Sequence, residues 1–243
     1  MTTRRMFGLC GFLLAAAVAQ AQDPKAAGPS KARPGEPVPA TFRAYLVTDD
    51  RFPPRVNPPA KPDDRDPRDR TGKVHCLVCE TGLSPAVAVY VKADPKTLGP
   101  DSGVVKLASR LNKLIPDYPA DRMAAWVHFL RLEGPPKAVP VPGSETPVEL
   151  DAEYPDDEKR DEYARDIRDL AKAADAPNVP FGLAPARGKT VDAWGIGPDD
   201  QVTVIFFNRL KVVNRWVFPA DGPTPAQIDE IAAAVAAAIE GKN

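Results

Sequence analysis

Hydrophobic and polar positions along the chain alternate between two periods, and the switch between them predicts the order of elements. Thr41 to Thr48 and Ala86 to Ala93 are rich in Val, Ala, Phe and Tyr at strand length. Ala125 to Leu132 sets Trp126, His128 and Leu130 against Val127, Phe129 and Arg131, the two-residue period of a strand. Val202 to Phe207 is an uninterrupted run of β-branched and aromatic residues, apolar but for Thr203, which marks a strand covered on both faces. Val212 to Phe218 follows a short polar turn and predicts a hairpin with it.

Helical spacing takes over between these strands. Val104, Leu107, Ala108, Leu111, Leu114 and Ile115 predict one helix, and Tyr163, Ile167, Leu170, Ala171 and Ala174 a second. The last helix carries its own boundaries. Thr224 is placed as N-cap, Pro225 takes the first helical position, Gln227 completes a capping box, and Gly241 follows the apolar face formed by Ile228, Ile231, Ala232, Val235 and Ile239. From Ala86 the order is strand, helix, strand, helix, hairpin, helix. The first two strands, joined by a helix, should be parallel with a right-handed crossover, and the hairpin should add an antiparallel edge.

Composition divides the chain around this pattern. The opening has Arg4 and Arg5, an apolar run from Met6 to Val18, and small residues at Ala19 and Ala21, the layout of a cleavable signal peptide over residues 1–21. The run is too short for a permanent membrane span, so no anchor is expected after cleavage, and the mature protein should be exported, periplasmic or secreted. Thr3-Arg4-Arg5-Met6-Phe7 also resembles the start of a twin-arginine signal. Cys10 belongs to the apolar run and leaves with it.

The 29 prolines concentrate in a few segments. Residues 22–40 have almost no bulky apolar side chain and read as a flexible tether. Stretches at about 52–70 and 134–157 read as proline-rich loops within a single domain over residues 41–243. Cleavage takes Arg4 and Arg5 from 32 basic residues and nothing from 33 acidic ones, leaving a net charge near −3. With no basic patch, nucleic acid is not expected as a partner, whereas an unidentified protein partner remains open.

The β-α-β-α-β-β-α order is similar to that of the thioredoxin-like fold, a three-layer α/β arrangement with a mixed sheet, a C-terminal hairpin and a terminal helix. Pro180 to Pro185, followed by Ala193-Trp194-Gly195-Ile196 and Val202 to Phe207, resembles the peroxiredoxin-like branch of that superfamily. Val47-Thr48, Thr71-Gly72-Lys73, Cys76-Leu77-Val78-Cys79 and Pro85 to Val89 resemble a group of exported thioredoxin-like proteins from planctomycete bacteria.

Cys76 and Cys79, the cysteines left after cleavage, are spaced as C-x-x-C. One reading is a redox pair: one thiolate attacks a substrate disulfide and the other resolves the mixed disulfide. The other is a structural disulfide, the default for neighbouring cysteines in an oxidising compartment, in a thioredoxin-like scaffold or interaction domain without activity. Position bears on the choice. Thioredoxins carry the motif after the first core strand, at the start of the next helix, yet here it precedes Ala86 and the sequence after Ala93 is Asp94-Pro95-Lys96-Thr97. The proline that thioredoxins place just before the hairpin is also out of register, since Asp199-Asp200-Gln201 leads into Val202.

His75, Cys76 and Cys79 together also form a weak candidate metal site, lacking a second C-x-x-C to complete it. His128 is expected to be a core histidine with a satisfied hydrogen bond. No cofactor is expected: a Gly-rich phosphate loop, a G-x-S-x-G elbow and an H-E-x-x-H helix are all missing.

Overall fold

A computed structural model describes residues 32–39, 41–52, 66–132, 137–139, 148–150 and 157–241. The segment read as a leader, 1–21, and most of the stretches read as loops at 52–70 and 134–157 lie outside them. Among the described residues nine strands and five α-helices follow in chain order: β1 Arg43–Thr48, β2 Val74–Cys76, α1 Leu77–Thr81, β3 Ala86–Val91, α2 Gly103–Leu114, β4 Ala124–Leu132, β5 Lys137–Val139, β6 Val148–Leu150, α3 Asp157–Ala174, β7 Phe181–Pro185, α4 Lys189–Ala193, β8 Val202–Asn208, β9 Lys211–Phe218 and α5 Pro225–Ile239.

Seven of the strands form one mixed sheet in the order β2-β1-β7-β4-β3-β8-β9. β3 and β4 are parallel across α2, as the pattern predicts. β8 joins β3 antiparallel and hands over to β9 at the edge. The sequence pattern passes over β7, which lies at the centre between β1 and β4. It has five residues, and one of them is Gly182, so it shows too little periodicity to register.

Gly182 is required there by a close approach. An added Cβ would lie 2.8 Å from His128 Cδ2 and 3.2 Å from both Ala44 Cβ and Leu46 Cδ2. The His128 ring occupies the space that a side chain would otherwise fill.

The two faces of the sheet are covered unequally. Val87, Val89, Val127, Phe129, Phe181 and Phe206 pack against the long helices, through Leu107 and Leu111 of α2, Ile167 and Leu170 of α3, and Ile228 and Ile231 of α5. The other face presents Ala88, Tyr90, Trp126, Leu130 and Phe207, and its cover is thinner: Phe42, Leu77 and Val78 of α1, and Val191 and Trp194 around α4. The third layer of the expected architecture is thus built from two five-residue helices and extended chain.

Residues 32–39, which fall in the stretch read as a tether, are docked on the hairpin. Glu36 O accepts from Val212 N at 2.9 Å, and Val38 N donates to Leu210 O at 2.8 Å. Pro37 bridges to Lys211, and Ala32 is fully buried. The start of β9 offers unpaired backbone groups, and pairing with them holds a segment whose side chains bury little. The α5 cap is as expected: Gln227 N donates to Thr224 Oγ1 and Thr224 N to Gln227 Oε1.

Candidate functional site

β1 positions the cysteine pair. β2 pairs antiparallel with it, setting Cys76 opposite Arg43, and α1 begins at once. Cys76 is the N-cap of α1: its backbone is extended and its Sγ accepts from Cys79 N–H at 3.2 Å. The C-x-x-C spacing brings the two Cα atoms to 5.3 Å, and the sulfurs are joined as a disulfide. Cys76 is buried, at 8 % exposure, whereas Cys79 is exposed.

A chain of charged groups runs beside the pair. His75 Nε2 lies 2.7 Å from Glu80 Oε2, and Arg51 Nη1 donates to Glu80 Oε1 at 2.9 Å. Arg51 also donates from Nε to Asp49 Oδ1 at 2.6 Å and from Nη2 to Asp49 Oδ2 at 3.0 Å, a two-pronged match of guanidinium to carboxylate. Asp49 is almost fully buried and further held by Arg70 N–H. Burial alone would raise the Glu80 carboxyl, yet Arg51 and His75 together hold it below its ordinary value. Arg51 and Arg68 both stack on Phe52, which closes the two ends of the first proline-rich loop on each other.

Two of the residues singled out from the sequence, Cys76 and Cys79, are thus bonded, and the third, His75, is turned to Glu80. The metal reading needs thiolates, and these sulfurs are committed to each other. Among the described residues no group of three or more His, Cys, Asp or Glu side chains is arranged to hold a metal ion. Asp49, Arg51 and Glu80 escaped sequence reasoning. Glu80 stands beside Cys79, but Arg51 lies 29 positions away and only the β1–β2 pairing brings it in.

The position after β3 holds no sulfur. Asp94 Oδ1 there accepts from Lys96 N–H at 3.0 Å, Arg131 Nη2 donates to Asp94 Oδ2 at 3.0 Å, and Lys96 pairs with Glu162. Three strands separate β2 from β3 in the sheet, so the disulfide belongs to the β2 edge.

His128 departs from expectation. It is fully buried, as read from the sequence, but neither ring nitrogen has a hydrogen-bond partner among the described residues. Its place in the sheet is the reason: in register with Tyr90 and Gly182, it is enclosed by the rings of Phe42 at 5.7 Å, Tyr90 at 6.0 Å and Trp126 at 6.1 Å. Burial pushes its pKa from 6.5 to about 3. Thr203, opposite Tyr90 on the other side, likewise leaves its hydroxyl without a partner.

Comparison with solved structures places the fold. The chain is similar to Mycobacterium bovis AhpC, with a TM-score of 0.50 at 11% identity over 87% of this chain and 94% of that one. It is also similar to a Chlorobium tepidum protein assigned as a thiol:disulfide interchange protein DsbE, with a TM-score of 0.49 at 12% identity over 85% and 97% of the two chains. A secreted Mycobacterium tuberculosis disulfide oxidoreductase gives a TM-score of 0.44 at 11% identity, over 81% and 96%. No family model matches the chain, and no curated protein does. The mixed sheet and its helices are a thioredoxin-like α/β fold. Among the described residues no helix is long and apolar enough to cross a membrane.

Proposed function

We propose that this is an exported thiol–disulfide oxidoreductase whose reacting sulfur is Cys79. The observation that carries the reading is the asymmetry of the pair: Cys79 is open to solvent, while Cys76 is buried with its sulfur accepting the Cys79 N–H.

In the oxidising direction a substrate thiolate attacks Cys79 Sγ. The Cys76–Cys79 bond breaks, a mixed disulfide forms on Cys79, and Cys76 leaves as a thiolate. The hydrogen bond from Cys79 N–H stabilises that thiolate, and a more stable thiolate is the better leaving group. A second substrate thiolate then attacks the substrate sulfur of the mixed disulfide and releases Cys79. The substrate dithiol becomes a disulfide, and the protein takes up two electrons and ends as a dithiol. In the reducing direction Cys79 thiolate opens a substrate disulfide and Cys76 resolves the intermediate. Export makes the oxidised pair the default state, which suits the oxidising direction and a structural bridge alike.

The test is equilibration of the purified mature protein with glutathione, followed by thiol trapping and mass measurement. An exchange pair should equilibrate between about −120 and −270 mV, and Cys76→Ser should accumulate a mixed disulfide on Cys79 that wild type resolves. A potential below about −300 mV, with no trapped intermediate, would instead establish the pair as a structural bridge in a non-enzymatic scaffold. Placement of the disulfide at the β2 edge, away from β3, is the observation favouring that second reading.

A further inference from the structure

At the amino ends of β3 and β4, a groove of about 1050 Å³ lies between the loop that follows α1, the β8–β9 turn and the end of α5. Three cations line it, Arg122, Arg209 and Lys211, against a single acid, Asp121. None of the three has a carboxylate partner among the described residues, so the groove carries an unneutralised positive charge. Two of them stand in unusual backbone: Arg122 has φ 52° and Arg209 φ 51°, the left-handed region that side-chain-bearing residues seldom occupy. Arg209 and Leu210, φ 57°, are the two-residue turn between β8 and β9, whose geometry sets both residues in that region and so projects Arg209 from the end of the hairpin. Leu83, which lines the groove, is 66% exposed, and Leu210 beside it is 39% exposed.

The groove also reaches the redox pair. Thr81 lines it and ends α1, two residues after Cys79. A chain lying in the groove therefore runs alongside the end of the helix that carries Cys79.

We infer that this groove docks an extended acidic polypeptide segment of the protein whose cysteines exchange with Cys79. The inference rests on the thiol–disulfide reading above. Unpaired cations beside exposed leucines suit carboxylates interspersed with apolar side chains. No aromatic side chain lines the groove to stack a base, and the mature chain is net acidic, both of which count against nucleic acid.

The test uses the mature protein and a fluorescein-labelled peptide of Glu, Leu and Ser containing one cystine, with a Lys-for-Glu version as control. Binding is followed by anisotropy. The acidic peptide should bind, should weaken as salt rises, and should lose about tenfold in affinity in R122N/R209N/K211Q, the sum of three modest charge contacts. Asn tolerates left-handed backbone, so these variants should keep the fold, which circular dichroism checks. A Cys79→Ser protein should still bind the peptide but form no mixed disulfide with it. Equal binding of the Lys peptide, an unchanged affinity in the triple variant, or a preference of the same residues for a DNA oligonucleotide or anionic lipid vesicles would overturn the groove as a peptide dock. If the wild type exchanges with glutathione but does not discriminate between the peptides, the groove fails alone. If the peptide binds while the potential falls below about −300 mV, the redox reading fails and takes the substrate role with it.

Discussion

Buried His128 should make this protein acid-sensitive well above the range in which carboxylates titrate. Its ring is fully enclosed and no charged group contributes to its shift, so the folded state holds it neutral down to about pH 3, against 6.5 for an accessible histidine. In the unfolded chain it gains a proton as pH falls below 6.5. The folded pKa is the depressed one, so stability is intact above 6.5, declines as the unfolded state takes the proton, and stops declining once the folded state is protonated too. At 1.36 kcal/mol per pH unit, moving from pH 7 to pH 5 costs about 2 kcal/mol, and the full shift amounts to about 5 kcal/mol. With a urea dependence of about 2 kcal/mol per molar, the midpoint of unfolding should drop by about 1 M over that interval. His128→Leu removes the titrating group together with two unpartnered nitrogens, so the variant should be no less stable at pH 7 and should lose most of the shift. The assay is a pair of urea titrations at pH 7 and pH 5, read by circular dichroism with the disulfide intact. Glu80 is held below its ordinary value of 4.5, so its contribution is present above that value and is lost only as pH falls beneath it, outside this window. Parallel losses in wild type and His128→Leu would refute the reasoning.

Two further substitutions test the packing and the charge chain. Gly182→Ala should destabilise by about 1–3 kcal/mol, because its Cβ would meet His128 Cδ2 at 2.8 Å, and denaturant melts should show the loss partly relieved by His128→Ala. Arg51→Met should cost about 3 kcal/mol, since among the described residues it leaves the buried Asp49 carboxylate with only the Arg70 N–H as partner; a melt within 1 kcal/mol of wild type would show that the pair does not support the site.

The elements best read from the sequence are those whose burial is periodic and local. β8, buried along its apolar run, and α5, with both reciprocal cap bonds, lie where the pattern puts them. β7 was hidden because a short central strand with a glycine has no alternation to show, and its place depends on partners on either side, β1 and β4. The docking of residues 32–39 was hidden for a related reason: backbone pairing with β9, not side-chain burial, holds them, and composition reports only side chains. The C-x-x-C was legible as a disulfide pair, but which sulfur faces solvent was not.

By itself, then, the sequence determined the mixed α/β order, the hairpin and the capped last helix, because each follows from interactions between residues close along the chain. It also determined that Cys76 and Cys79 lie near enough to bond. Only the tertiary structure decided the rest: that Cys76 is the buried cap and Cys79 the open sulfur, that Arg51 reaches Glu80 from the turn after β1, that His128 has no hydrogen-bond partner among the described residues, and that Arg122, Arg209 and Lys211 meet around one groove. These depend on contacts between segments distant in sequence, and the pairing of the strands, which no local pattern encodes, brings those segments together.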